Sequence, residues 1–126
     1  MINTHKDIDS GLCGKPVELE DGFAKVVLET LSSMKVDETG LVHGGFIFGL
    51  ADYAAMIAVN HPNVVLGAAD VKFTKPVKAG ETAVAEARVE SSEGKKSMVD
   101  VTVNVEGDTV FKGVFTCFVL DKHVLK

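Results

Sequence analysis

One carboxylate lies in the most apolar stretch of the chain. Residues 44–59 are almost entirely apolar, and Asp52 is the only charged residue among them. An ionised carboxylate in apolar surroundings costs free energy unless a partner compensates it. Such surroundings favour the protonated form and therefore raise the pKa of the carboxyl group. Asp52 is thus a candidate for a general base that acts on water, or for a nucleophile.

Two glycines, Gly44 and Gly45, open the same stretch directly after His43. If a helix begins here, its first N–H groups have no acceptor within the helix and carry a partial positive charge. Glycine also lets a ligand approach the backbone closely. The two N–H groups are therefore candidate donors to a carbonyl oxygen that becomes an oxyanion.

The spacing of these groups restricts how they can work together. Asp52 follows Gly44 by eight residues, which is about 12 Å along a helix at ~1.5 Å per residue. An oxyanion donor must lie within about 3 Å of its oxygen, and the base nearly as close to the reacting carbon. One chain cannot easily supply both groups, whereas two antiparallel copies of the helix could. The spacing therefore predicts a homodimer with two shared sites.

The rest of the chain predicts a sheet that holds this helix. The apolar stretch predicts a helix over 45–60, which His61-Pro62 ends because proline cannot continue a helix. The predicted strands are 16–20, 23–31, 64–74, 81–90, 97–106 and 109–120. Alternating apolar and polar residues in these strands indicate an antiparallel sheet with one buried face. The prediction is an α+β fold in which the sheet wraps around one long central helix.

Length and composition indicate an N-terminal arm over 1–14 and a single domain over 15–126. The net charge of −5, without a basic block, argues against nucleic acid as a partner. No apolar run reaches the ~18 residues of a membrane span, so we expect no membrane partner. The polar N-terminus and two distant cysteines, Cys13 and Cys117, predict reduced thiols and a cytoplasmic location.

Several common chemistries lack their motifs in this chain. It has no G-x-S-x-G nucleophile elbow and no dinucleotide fingerprint. Residues 94–97 lack the upstream glycine and the residue order of a phosphate loop. The four histidines and two cysteines show no spacing typical of a metal site. We therefore expect neither a metal nor a cofactor.

The motif around the helix resembles a known family. His43-Gly44-Gly45 followed by Leu50-x-Asp52 is similar to the H-G-G-x5-L-x-D signature of hotdog-fold acyl-CoA thioesterases of the PaaI-like, phenylacetate-pathway type. The resemblance covers roughly residues 15–120. It includes Phe73, Pro76-Val77 and Gly80-Glu81 after the helix, and Gly94-Lys95-Lys96 before the penultimate predicted strand.

The resemblance implies a hotdog fold, a dimer that often pairs into a tetramer, and an acyl-CoA substrate whose CoA is not a separate cofactor. It also implies that Asp52 is the catalytic carboxylate, that Gly44 is the oxyanion donor from the opposite subunit, and that His43 shapes the thioester pocket. The other candidate substrate-binding residues are Gly45, Asp37, Phe46, Lys95 and Lys96. For the two lysines the expected partner is a CoA phosphate, and for Phe46 the acyl chain or the core.

Two positions depart from the family pattern. Many members have asparagine six residues before the histidine, where this chain has Asp37. Some have Ser or Thr near the start of the strand after the helix, where this chain has Leu66-Gly67-Ala68. A non-catalytic acyl-CoA-binding or sensing protein on the same fold is therefore an alternative to the thioesterase. A hydratase-type hotdog protein is a third, but its His/Asp pairing is not visible here.

Overall fold

The computed structural model describes residues 1–126. Its central element is helix α2, Gly44–Val59, which confirms the predicted helix to within one residue at each end. The helix begins where His43 adopts an extended backbone and its side chain accepts a hydrogen bond from the Gly45 N–H. It ends at Asn60, whose left-handed backbone (φ 56°) directs its N–H to the Met56 carbonyl.

Six strands form one antiparallel sheet around this helix. They are β1 Lys15–Glu20, β2 Phe23–Glu29, β3 Val64–Phe73, β4 Thr82–Glu93, β5 Lys96–Val105 and β6 Asp108–Val119. All six predicted strands are present, although β2 ends at Glu29 and a short 3-10 helix, Ser32–Met34, follows it. The predicted α+β class, with an antiparallel sheet around one long helix, is therefore confirmed.

The sheet order is β1-β2-β4-β5-β6-β3. Strand β3, which directly follows the helix in sequence, crosses to the far side of the sheet and pairs with β6, from Val64 opposite Val119 to Phe73 opposite Phe111. As a result, β3 is an edge strand. Its middle, residues 67–70, is solvent-exposed.

The core lies between α2 and the concave face of the sheet. Alternate residues of β4 and β5 face it, as the sequence pattern predicted: Ala83, Ala85, Ala87, Val99, Val101 and Val103 are buried. Small residues also line the buried side of the helix, including Ala51, Ala54, Ala55 and Ala58. Alanines on both elements allow close packing, which is why β4 is the strand that α2 contacts most.

Residues 1–14, the predicted N-terminal arm, pack against the end of α2 and contain a short helix α1, Ser10–Cys13. The Asn3 N–H donates to Asn60 Oδ1 (2.7 Å), and Asn60 Nδ2 donates to the Met1 carbonyl (2.8 Å). Ile2 and Ile8 pack on the core. None of the helices is both long and apolar enough to cross a membrane.

Candidate functional site

Asp52 lies in the middle of α2, between the buried residues Ala51 and Tyr53. Its Oδ1 atom is buried and has no hydrogen-bond partner within the chain. Burial raises the pKa of Asp52 from 3.8 to about 6, because an apolar environment disfavours the charged form. Buried polar atoms are nearly always hydrogen-bonded. A buried carboxyl oxygen without a partner is therefore a candidate for chemistry.

Asp52 opens into a cavity of about 520 Å³, which we call the Asp52 cavity. Three segments form most of its wall: residues 3–6 of the N-terminal segment, residues 62–66 at the start of β3, and His123-Val124 near the C-terminus. The wall combines polar and apolar side chains, and it includes the basic residues His5, Lys6 and His123. No sequence motif marked residues 3–6 or His123 as part of a site, since both terminal segments are irregular and polar.

The start of α2 presents Gly44 differently from Gly45. The Gly45 N–H donates to His43 Nδ1 (2.7 Å), and the Phe46 N–H donates to the His43 carbonyl (3.1 Å). Neither of these capping hydrogen bonds uses the Gly44 N–H. Of the two predicted oxyanion donors, the Gly45 N–H is therefore already engaged, and the Gly44 N–H takes no part in these two hydrogen bonds.

Gly44 lines a second, mainly apolar cavity of about 320 Å³, which we call the Gly44 cavity. Phe73 forms part of its wall, and a Cβ atom at Gly44 would stand 3.2 Å from the Phe73 ring. The remaining wall is formed by Leu41, Val42, Ile47, Thr74, Lys75, Pro76, Val77 and Val110. The two cavities share no residue. Within one chain, the structure therefore does not bring Gly44 and Asp52 together.

His43 and Phe46 lie at the N-terminal end of α2. The His43 side chain is exposed, and its ring contacts Phe46 edge-on, with the centroids 6.1 Å apart. Because Nδ1 accepts the Gly45 hydrogen bond, a neutral His43 carries its proton on Nε2. His43 thus has a clear structural role as the helix cap, while Phe46 is half-buried against the core.

Asp37 and the two lysines line neither cavity. Asp37 Oδ1 accepts hydrogen bonds from the Thr39 hydroxyl (2.6 Å) and the Thr39 N–H (2.9 Å), which lower the pKa of Asp37. Lys95, at the turn between β4 and β5, forms an ion pair with Asp121 (2.7 Å). Lys96 begins β5. Within one chain these residues therefore lie apart from Asp52 and Gly44.

The surroundings of Asp52 hold no second nucleophile. Burial raises the pKa of the Cys117 thiol to about 12 and raises that of Cys13, with the negative charge of Asp52 adding to both shifts. These thiols therefore stay protonated near neutral pH. No group of three or more His, Cys, Asp or Glu side chains is placed to hold a metal ion. The arrangement offers one candidate general base and, at the other cavity, one candidate backbone donor.

Comparison with known proteins adds a family and several relatives. The thioesterase superfamily profile matches residues 39–112. A crystal structure of an uncharacterised protein from Pyrococcus horikoshii is 56% identical, with a TM-score of 0.99 over 100% of this chain and 97% of that one. The PaaI protein of the phenylacetic acid degradation operon of E. coli is 25% identical, with a TM-score of 0.81 over 89% of this chain and 83% of that one.

Two curated relatives are longer proteins. Methylthioribose-1-phosphate isomerase of Aquifex aeolicus is 54% identical over 95% of this chain, which spans 26% of that protein. Transcription factor FapR of Caldanaerobacter subterraneus is 32% identical over 90% of this chain, which spans 57% of that protein. The chain thus spans between about a quarter and just over half of these relatives. The domain that it matches occurs in proteins with different names.

Proposed function

The chain belongs to the thioesterase superfamily and has its hotdog fold, of the PaaI-like type, and we propose that it hydrolyses an acyl-CoA thioester to a free acid and CoA. The observation that carries this proposal is Asp52, a buried carboxyl group without a hydrogen-bond partner and with a pKa near 6. A pKa close to neutral suits a general base, because the group is ionised at pH 7 yet basic enough to accept a proton.

In the proposed reaction, Asp52 takes a proton from water while the water oxygen bonds to the thioester carbonyl carbon. The carbonyl oxygen becomes an oxyanion and accepts a hydrogen bond from the Gly44 N–H. The intermediate then collapses, the carbon–sulfur bond breaks, and its electron pair leaves with the sulfur, which is protonated to give the CoA thiol. Direct attack by Asp52 on the carbonyl is the other route open to this carboxylate.

We propose that Gly44 acts across a homodimer on the Asp52 of the opposite subunit. Two observations support this arrangement. Gly44 and Asp52 line separate cavities, and strand β3 leaves one edge unpaired over ten residues. Long, unprotected edges are uncommon in stable monomers, because they invite pairing with another strand. A second copy paired at this edge would cover it, and two such dimers could form a tetramer.

The proposed contacts with the substrate follow from the same arrangement. His43 would hold the loop beside the thioester, and Phe46 would line the acyl pocket. Of the two hairpin lysines, we assign the CoA phosphate contact to Lys96, since Lys95 is already paired with Asp121. The reaction needs no cofactor apart from the CoA of the substrate, so activity should survive chelation with EDTA. Two free thiols, Cys13 and Cys117, suit a reducing cytoplasm.

The test is thiol release from a panel of aliphatic and aromatic acyl-CoAs, measured with a thiol-reactive dye. Asp52→Asn keeps the shape of the side chain but cannot accept the proton, so kcat should fall by about 10² to 10⁴. His61→Gln is the control, because His61 is exposed at the end of α2 and lines neither cavity. Unchanged thiol release by Asp52→Asn would rule out Asp52 as the base.

A second function, the binding of acyl-CoA as a regulatory signal, is favoured by one comparison. FapR, which matches 90% of this chain, is named a transcription factor. If this chain is a sensor, it should bind acyl-CoA tightly in calorimetry and release no thiol over hours. Thiol release that depends on Asp52 would exclude the sensor function.

A further inference from the structure

Residues 3–6 of the N-terminal segment line the Asp52 cavity, and hydrogen bonds hold this segment in place. The side chain of Asn60, at the end of α2, is hydrogen-bonded to the backbone of Met1 and Asn3. Thr4 is only 7% exposed. These contacts hold the segment against the helix that carries Asp52. The ends of a chain are usually poorly ordered unless specific contacts hold them in place.

His5 is the residue of this segment whose conformation is most constrained. Its φ is +53°, an uncommon value for a residue other than glycine, and strained residues of this kind concentrate at functional sites. Its Nδ1 is hydrogen-bonded to the Thr4 hydroxyl (2.8 Å), and its ring lies beside that of Tyr53, with the centroids 6.4 Å apart. His5 Nε2 forms no hydrogen bond within the chain, and the side chain lines the same cavity as Asp52.

The other titratable groups around this cavity are few. Lys6 and His123 also line it, and Asp52 is its only acid. Cys13, Tyr53 and Cys117 lie near Asp52, and burial raises the pKa of each. Partial burial lowers the pKa of His5, so at neutral pH its imidazole is uncharged and can accept a proton. His5 is thus a neutral base that lines the same cavity as the carboxyl group.

We infer that His5 is a proton-transfer residue that takes the proton from Asp52 across the Asp52 cavity and restores the ionised carboxylate after each attack. This inference rests on the proposed thioesterase function. With its own proton on Nδ1, donated to Thr4, His5 accepts at Nε2 the proton that Asp52 took from water. The imidazolium then gives this proton to the departing thiolate, whose sulfur holds the electron pair of the broken bond. Both residues return to their starting protonation states.

The kinetic test uses His5→Asn, because asparagine tolerates a positive φ and its side-chain NH2 group can still donate to the Thr4 hydroxyl. We expect kcat to fall by about tenfold or more with little change in KM, and added imidazole to restore part of it. His61→Gln is the matched control and should keep full activity. Imidazole should not rescue Asp52→Asn. Normal kcat in a folded His5→Asn protein would overturn the inference while leaving the thioesterase proposal intact.

A second measurement needs no activity. NMR titration of the histidine side chains gives the pKa of His5 in the wild type and in Asp52→Asn. If the two groups interact, removing the negative charge of Asp52 should lower the pKa of His5 by about 0.5 or more. An unchanged His5 pKa would show that the two groups do not interact and would refute the inference. A shifted pKa in a protein that releases no thiol would instead refute the proposed function, and with it the catalytic use of this pair.

Discussion

The two cavities beside α2 differ in almost every property. The Asp52 cavity has a mixed polar and apolar wall, is bordered by both terminal segments and contains a carboxyl group with a buried oxygen. The Gly44 cavity is mainly apolar, borders the exposed Phe73 and contains a backbone donor but no acid. A base suits the first environment, because burial raises its pKa. An apolar acyl or pantetheine chain suits the second, because its transfer from water to an apolar surface is favourable.

If Gly44 and Asp52 belong to one site, as proposed, this difference explains why a single helix cannot complete it. Gly44 and Asp52 are about 12 Å apart along the rigid helix, so the two groups of one chain cannot approach each other. In the proposed dimer, a second copy of the helix that runs the opposite way would place the base of one subunit beside the donor of the other. The predictions below therefore test first the donor, then the sharing between subunits, and then the cost of the buried acid.

Apart from the loss of Asp52 itself, the largest effect is expected from removing the donor. Gly44→Pro deletes the N–H at the first position of α2, where proline is well tolerated, and the extended backbone of His43 (φ −62°, ψ 131°) suits a residue before proline. We expect kcat to fall by about 10² to 10³, measured as thiol release from the best acyl-CoA substrate.

Gly44→Ala is the matched control for this change. It also adds a Cβ atom, 3.2 Å from the Phe73 ring, but it keeps the N–H. Phe73 is 55% exposed and can shift, so Gly44→Ala should retain most of the activity. If the two variants were equally impaired, crowding rather than the lost donor would explain the result, and Gly44 would not be the oxyanion donor.

Mixing two inactive variants tests whether the site is shared. A dimer of one Asp52→Asn subunit and one Gly44→Pro subunit has one site with both native groups and one with neither. After denaturation and refolding of an equal mixture, half of the dimers are mixed, so about a quarter of the wild-type activity should return. Each variant refolded alone is the control. If both groups acted from the same chain, no mixed dimer would contain an intact site, and the mixture would stay inactive.

The buried acid should also cost stability in a pH-dependent way. The pKa of Asp52 is near 6 in the folded protein and near 3.8 when exposed. The folded state therefore binds more protons between these values, and stability falls as pH rises from about 4 to about 6. Above this window Asp52→Asn should be more stable than the wild type by about 1 to 3 kcal/mol, allowing for partial exposure. Below pH 4 the gain should disappear.

Urea unfolding at pH 8 and at pH 3.5 measures this difference directly. His61→Gln is the control, because it also replaces a titratable side chain with an amide. A variant with the same stability as the wild type at both pH values would show that Asp52 gains a compensating partner, for example from a second subunit. Catalytic groups often destabilise the folded state, because a strained or poorly solvated group is often the reactive one.

The helix and the six strands could be predicted from sequence because their signals are local. Apolar residues on every side of 44–59 identify a buried helix, and alternating valines identify β5. The crossing of β3 to the side of β6 could not be predicted in this way, since alternation shows which face is buried but not which strand is the neighbour. The part that the terminal segments play in the Asp52 cavity could not be predicted for a related reason. His5 contacts Tyr53, about 50 positions away in the chain, and local sequence patterns do not reveal such contacts.

The smallest effect is expected at Asp37, where the chain departs from the asparagine of many similar proteins. Its carboxylate is exposed, lines neither cavity and is satisfied by two hydrogen bonds from Thr39. An asparagine can accept the same two hydrogen bonds with its side-chain oxygen. We therefore expect Asp37→Asn to change kcat/KM by less than about threefold, which corresponds to less than about 0.7 kcal/mol. A much larger gain would place residue 37 beside the thioester in the dimer, and a negative charge there would then be opposing the oxyanion held by Gly44.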